Sequence, residues 1–383
     1  MRIAINTRFL LPQYLEGLGN FTLEVSRRLV EQHPEHDFLF CFDRPYDPQF
    51  VFGERTKAKV IFPPARHPWL WQAWFEFALP RVLRSWQADV FFSPDGYCSL
   101  RSQVPTLMVT HDLAFLHYPD QVPDRARRYY QKWTPRFIKR AERVITVSEF
   151  VRQDIMNHYG TDPTKISVAC NGVRPIFKPL DASSIRAVRA KYSRGQAYFF
   201  YLGSVHPRKN LSRLIQAYAQ FRAAHAEPVL LLLGGRLGWQ LEEVQRAHRN
   251  SPFAQDIHFL GYLPTEDAAR LLAASLALVY PSLSEGFGVP VLEAMQTEVP
   301  VITSQVTSLP EVAGDAALLI DPKSTSSVAE ALSQIAQSAE LQKALVAKGR
   351  VQRERFSWDL AAQVVWKSIE DLYQSKVTAT EGS

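Results

Sequence analysis

Short apolar runs recur along this 383-residue chain and alternate with segments of helical periodicity, a pattern that few folds accept. In the first half the runs fall at 2–6, 37–42, 58–62, 89–93, 105–110, 144–147 and 165–169. In the second half they fall at 198–202, 229–233, 256–260, 276–280, 299–303 and 317–320. Runs this short, bounded by turn residues and separated by helices, predict strands of a parallel sheet. The expected class is therefore α/β, with open, doubly wound parallel sheets. A chain of this length suggests two or three domains, each able to bury a core. Residues 174–197 lack strong apolar periodicity except for a short helix near 183–191, so the interdomain linker is placed there. The expected partition is 1–178 and 179–356, followed by helix 357–373 and a frayed tail at 374–383.

One stretch concentrates the chemistry: Ser282-Leu-Ser-Glu-Gly-Phe-Gly-Val-Pro-Val-Leu-Glu-Ala-Met295. Pro281 and Ser282 break the strand before it. Gly286 and Gly288 let the backbone turn tightly and approach a ligand. Pro290 suits the first turn of a helix, where its missing N–H is not needed. The result is strand, glycine loop, helix N-terminus, a geometry that favours an anion such as phosphate. Glu285 on the loop and Glu293 in the helix are then left to hold hydroxyls. On a continuous helix two acids eight residues apart would be roughly 12 Å apart, whereas a glycosidase pair needs about 5–9.5 Å. That spacing leans toward separate roles for the two carboxylates. A capped helix with one solvated Glu is the plainer account of a lone Glu-Gly-Phe-Gly.

Other strand ends carry similar signals. Gly203-Ser-Val-His-Pro-Arg-Lys-Asn210 puts a glycine after a strand and the cations Arg208 and Lys209 at a helix start, a second anion site. Surface ion pairing is the alternative for those two. Gly17 and Gly19 sit between the first strand and a helix expected over 21–30, where a phosphate can approach the backbone. Gly234-Gly235 and Gly261-Tyr262-Leu263 lie at strand ends where a base could meet backbone groups. His111 ends an apolar strand, and ligands of such sheets bind beyond strand carboxyl ends.

The net charge of +6 is uneven: residues 1–178 hold 24 Lys and Arg against 18 Asp and Glu, and the remainder is balanced. An acidic partner suits the first half, as does a simple solvated surface. Arg125, Arg128, Lys132, Arg136, Lys139 and Arg143 recur at three- and four-residue steps and form a basic stripe, which Pro135 is expected to divide. The stripe fits an anionic membrane surface or acceptor, or the charged outer face of a surface helix. Trp69, Trp71, Trp74, Phe75, Phe77 and Trp86, with Arg66, Arg81 and Arg84 nearby, could seat a sugar or a lipid headgroup, or simply pack a helix face. Cys41, Cys98 and Cys170 are scattered and odd in number, which fits a reducing cytosol. The N-terminus reads as a strand, not a signal peptide, and the longest apolar run is too short to span a bilayer. There is no Asp-x-Asp pair, no metal-spaced His/Cys cluster, no P-loop and no Gly-x-Ser-x-Gly elbow.

Taken together these residues make the chain resemble family 4 of the retaining GT-B glycosyltransferases, and within it the mannosyltransferase-B-like group. The marks are His111-Asp112, Ser148-Glu149-Phe150, Asn171-Gly172-Val173, Pro207-Arg-Lys-Asn210, Gly261-Tyr-Leu-Pro264, Glu285-Gly-Phe-Gly-Val-Pro-Val-Leu-Glu293-Ala and Leu309-Pro-Glu-Val-Ala-Gly-Asp-Ala316. The resemblance implies two Rossmann-like domains facing across a cleft, with the final helix crossing back onto the first. It implies a nucleotide-sugar donor, a glycan, lipid-linked or small-molecule acceptor, no cofactor and no required metal. Arg208 and Lys209 would hold the diphosphate, Glu293 the ribose and Glu285 the donor sugar. Phe287, Gly288 and Val289 would give backbone N–H groups to phosphate or sugar, and Gly17 and Gly19 would approach the phosphates. His111 would lie near the sugar. Trp69, Trp74, Arg128 and Lys132 are the acceptor-side candidates. Two positions depart from the family: Ser204 stands where it often has Arg, and Gln296-Thr297-Glu298 where it often has Ala-Cys-Gly. Subgroup likeness favours GDP-mannose as donor, and the expected location is cytoplasmic, extending to the inner membrane face. The rivals are a same-fold epimerase or phosphorylase, and a non-catalytic basic carbohydrate- or nucleic-acid-binding protein; no specific nucleic acid is expected.

Overall fold

The computed structural model describes residues 1–12, 15, 17–65, 67–236, 238 and 241–381, so Arg66 and Glu16 lie outside the described residues. The chain forms two compact units, Met1–Asn171 with Ser357–Ser383, and Gly172–Phe356. The division falls between Asn171 and Gly172, ahead of the expected 178/179. The short helix expected near 183–191 is present as Ala182–Ser193, and Arg189 ties it to the second unit by donating from Nε to the Ala274 carbonyl at 2.9 Å.

The first unit holds a seven-stranded parallel sheet: β1 (Arg2–Asn6), β2 (Asp37–Phe42), β3 (Thr56–Val60), β4 (Val90–Ser93), β5 (Thr106–Thr110), β6 (Arg143–Thr146) and β7 (Ile166–Val168). Their order is β3-β2-β1-β4-β5-β6-β7. The central strands are covered on both faces, which is why they read as continuous apolar runs; Leu107, Met108 and Val109 are fully buried. The second unit holds a six-stranded parallel sheet: β8 (Tyr198–Leu202), β9 (Leu230–Gly234), β10 (Ile257–Gly261), β11 (Ala277–Tyr280), β12 (Val301–Ser304) and β13 (Ala317–Ile320), in the order β10-β9-β8-β11-β12-β13. In both sheets the strand order reverses beside the first strand, between β1 and β4 and between β8 and β11. At such a switch point the loops leave in opposite directions and open a crevice at the strand carboxyl ends.

Three local expectations change. The helix expected from Phe21 runs Gly17–Gln32, so Gly17 and Gly19 form its first turn and are not a loop before it. Gly19 is buried, and a Cβ there would lie 2.8 Å from the Phe9 carbonyl oxygen. Pro135 does not divide the basic helix, which runs unbroken over Asp124–Arg140, and Arg143 falls on β6. The expected tail is helical as far as the last described residue, in Trp358–Glu381. That last helix buries Trp358, Ala361, Ala362, Val365 and Ile369 and packs on the Gly17–Gln32 helix, with Trp358 edge-on to Phe21 at 6.0 Å.

Candidate active site

At the β8/β11 switch point the two sequence motifs of the second unit meet. After β8, Pro207–Lys209 forms a single 3-10 turn capped by His206, whose ring nitrogen accepts from the Arg208 N–H. Asn210 ends the turn with φ +62° and fixes it by donating from Nδ2 to the Pro281 carbonyl at 3.1 Å and the Pro322 carbonyl at 2.7 Å. The side chains on either side of position 208 therefore have little freedom. Lys209 Nζ donates to the Tyr280 hydroxyl at 2.6 Å and to Glu285 Oε1 at 2.5 Å. Arg208 Nη1 donates to the Ser284 carbonyl at 2.9 Å and to Glu285 Oε2 at 3.4 Å. Burial alone would raise the Glu285 carboxyl, but Lys209 and then Arg208 outweigh it and hold it at about 2. Glu285 is therefore a carboxylate at neutral pH.

The loop after β11 is shaped by its glycines. Gly288 has φ +101° and precedes the Val289–Gln296 helix; a Cβ there would stand 2.6 Å from Leu309 Cδ2. Ser308 Oγ donates to both the Glu285 and Phe287 carbonyls at 3.0 Å, and the Glu285 N–H donates to Thr307 Oγ1 at 3.2 Å. Phe287 is buried and edge-on to Phe356 at 5.6 Å, so its ring anchors the loop. One helical turn on from Val289, Glu293 is also buried. Desolvation raises its carboxyl to about 7, against the pull of Arg174, whose guanidinium lies 3.7 Å away. The two acids of one motif thus have opposite electrostatics.

The floor of the site is a contact between strand ends. The Gly203 N–H donates to the Gly234 carbonyl at 2.9 Å and the Gly235 N–H to the Gly261 carbonyl at 2.8 Å. Gly235 has φ +147°, and a Cβ on it would lie 1.8 Å from the Gly203 carbonyl oxygen. Gly235→Ala is expected to destabilise the protein by about 3 kcal/mol, read as a lower urea midpoint. Beyond it, Tyr262 is exposed and Leu263 half-buried.

In the first unit His111 follows β5. Its Nε2 donates to the Pro94 carbonyl at 2.8 Å, which leaves Nδ1 without that proton, and burial lowers its pKa. Its ring meets Phe21 edge-on at 5.2 Å. Trp74 is corrected outright: it is fully buried, donates from Nε1 to the Ile61 carbonyl at 3.0 Å, and cannot meet an acceptor. Trp69, Arg128 and Lys132 are exposed.

Two groups were missed in the sequence. Arg174 stands just after the Asn171-Gly172-Val173 motif, which forms no turn in the structure and is the only hint of the pairing with Glu293. At the β1/β4 switch point Arg8 pairs with Asp95, while Asn6 Nδ2 donates to Asp95 Oδ2 at 2.8 Å and to Ser93 Oγ at 3.1 Å. The Arg8 guanidinium lies 4.4 Å from the centre of the Tyr97 ring. Residues 87 to 89 positions apart in sequence give no local signal of that network.

Comparison with known proteins agrees with this geometry. Residues 15–176 match the family described as Glycosyltransferase Family 4, and residues 184–352 match Glycosyl transferases group 1. O-antigen chain mannosyltransferase B of Escherichia coli is 31% identical over 357 residues, covering 90% of this chain and 93% of that protein. Among solved structures, sucrose-phosphate synthase from Thermosynechococcus elongatus superposes with a TM-score of 0.77 at 18% identity, over 98% of this chain and 99% of that one. Anabaena Alr3699/HepE in complex with UDP and glucose gives 0.75 at 16% identity, over 97% and 100%. Two Rossmann-like parallel-sheet units with these neighbours make the fold GT-B. The chain belongs to glycosyltransferase family 4 and is a sugar-transferring enzyme of the mannosyltransferase-B-like group.

Proposed function

We propose that the chain is a retaining, metal-independent hexosyltransferase that moves mannose from GDP-mannose to a hydroxyl of a glycan or lipid-linked acceptor in cell-surface polysaccharide synthesis. The observation that carries the chemistry is the joining of Arg208, Lys209 and Glu285 at the β8/β11 switch point, beside the N-terminus of the Val289–Gln296 helix. As the glycosyl–phosphate bond loosens, negative charge grows on the departing diphosphate. Arg208, Lys209 and the helix N–H groups oppose that charge, and because they are already held in place they need little reorganisation. Glu293 receives the ribose hydroxyls and Glu285 orients the sugar. The acceptor enters on the face the leaving group vacates, so the anomeric configuration is kept. Fixed cations then do the work that a metal does where an Asp-x-Asp pair is present.

The mannose reading rests on the printed name of the Escherichia coli relative, and the nucleotide-diphosphate reading is supported by the UDP complex of the HepE neighbour. We also propose a peripheral position on the inner membrane face. Among the described residues no helix is long and apolar enough to cross a membrane. Arg125, Arg128, Lys132, Arg136 and Lys139 are exposed along one helix of the first unit, and Phe62, Trp69 and Phe77 of that unit are exposed as well. Such cations are attracted to anionic headgroups and such rings to their boundary.

The test is a thermal-shift and transfer panel of GDP-, UDP- and ADP-sugars. GDP-mannose is expected to give the largest Tm rise and to be turned over without added Mg2+ or Mn2+, with the product anomer matching the donor by NMR. A UDP-sugar that outperforms it overturns the donor. An inverted product overturns the mechanism.

A further inference from the structure

A second cluster of chemistry-bearing side chains lies in the first unit, on elements that the transfer reaction leaves unused. His117 ends the short Ala114–His117 helix that follows the His111-Asp112 strand end, and Asp154 and His158 lie four residues apart on the Glu149–Tyr159 helix. That spacing puts the latter two on one face. His117 Nε2 is 2.9 Å from Asp154 Oδ1 and 2.8 Å from Oδ2, and His158 Nδ1 is 3.0 Å from both Oδ1 and the Asp154 backbone carbonyl oxygen, a contact that the ion would replace. One ring nitrogen from each histidine and a carboxylate oxygen all lie within 4.8 Å of one another. We propose that His117, Asp154 and His158 form a divalent-metal site suited to Zn2+ that clamps the segment after β5 to the Glu149–Tyr159 helix.

Charge is the first reason. The Asp154 carboxylate is only 7% exposed, and its ion-pair partners among the described residues are the two imidazoles and no Lys or Arg. A buried carboxylate ordinarily takes a full cationic partner, which a divalent ion supplies. The ligand set is the second reason. Two imidazole nitrogens and one carboxylate oxygen suit Zn2+ and its neighbours in the transition series, while Mg2+ and Ca2+ take oxygen ligands. Metal–ligand bonds of about 2.1 Å place the ligand atoms of a tetrahedral site roughly 3.4 Å apart, so small side-chain rotations suffice to admit the ion. Access is the third: the two imidazoles are 35% and 40% exposed, so ions reach the site from solvent and a water completes the coordination. Arg208, Lys209 and Glu285 belong to the other unit, and the site's role is to hold the backbone that carries His111, without entering the transfer step.

The experiment uses the full chain, stripped with a chelator, and titrates ZnCl2 by calorimetry and by thermal shift. One Zn2+ per chain should bind with micromolar or tighter affinity and raise Tm by about 3 °C at an excess near 100 Kd, and MgCl2 should not. His117→Ala and His158→Ala alter half-exposed side chains, and far-UV circular dichroism of each metal-free variant checks that it is folded before Zn2+ is added. Each should weaken Zn2+ binding at least about tenfold and abolish the Tm rise. Absence of Zn2+ binding reduces the cluster to a hydrogen-bonded Asp–His pair and overturns the proposal. Stoichiometric binding that neither substitution weakens places the ion elsewhere and overturns it equally.

Discussion

Lys209→Ala is expected to lower kcat by about 10²–10³-fold with donor saturating. The ammonium is the buried member of the cation pair, and Arg208, which reaches Glu285 only at 3.4 Å and is tied to the Ser284 carbonyl, does not occupy its place. The substitution also breaks a buried ion pair, which typically costs about 3–5 kcal/mol because the surviving charge is stranded. Stability and catalysis must therefore be separated. Glu285→Gln in the Lys209→Ala background removes the stranded carboxylate and should recover much of the lost Tm, while turnover stays low. Turnover of Lys209→Ala within threefold of the parent, at a temperature where it is folded, would remove the diphosphate role from this side chain.

Glu293→Gln should show the second large effect, with opposite signs in two measurements. In the free protein burial lifts the Glu293 carboxyl to about 7. The folded chain therefore keeps a proton that the unfolded chain loses at an ordinary carboxyl pKa. Stability contributed by that proton is full below the unfolded value and is lost as pH rises toward 7. The Gln variant carries no such loss and should be about 1–3 kcal/mol more stable than the parent at pH 8, with no advantage at pH 4. Nucleotide affinity runs the other way. If the ribose hydroxyls donate to the carboxylate, Kd for the nucleotide should weaken about tenfold per pH unit below 7 in the parent. It should be flat and weak in Glu293→Gln. A parent affinity that does not respond to pH, or a variant that binds as the parent does, would detach Glu293 from the ribose. Glu285, held at about 2, contributes no titration in this window.

Local pattern made most of the fold legible. β1, β2, β8 and β13 have the bounds that their apolar runs predict, and the other strands differ by a residue or two at an end, because central strands buried on both faces write themselves as unbroken hydrophobic runs. The donor-side motifs were legible for the same reason: glycine, proline and charge sit within a few residues of one another, and the chain brings Arg208 and Lys209 onto Glu285. Where the reading failed, the deciding partner was distant or the local rule was overruled. Trp74 was open to an acceptor-side role or to helix-face packing, and the Ile61 carbonyl and the surrounding core claim it for packing. Pro135 sits inside a helix that stays unbroken, with Thr134, Phe137 and Ile138 buried around it. Arg8 with Asp95, and His117 with Asp154, join across a sheet switch point and between two helices, and no window of sequence holds both partners.

The final helix also bears on how the protein is made. Its residues complete the lobe begun at Met1, but the chain reaches them only after all of Gly172–Phe356. At about 5–20 residues per second, a ribosome needs on the order of ten seconds or more to deliver that insert. During that interval the face of the Gly17–Gln32 helix that Trp358 will cover waits uncovered, while the later lobe already has its full sequence. Phe21 and its neighbours are thus the surface on which a holding chaperone, or a truncated product lacking its last helix, would first be noticed.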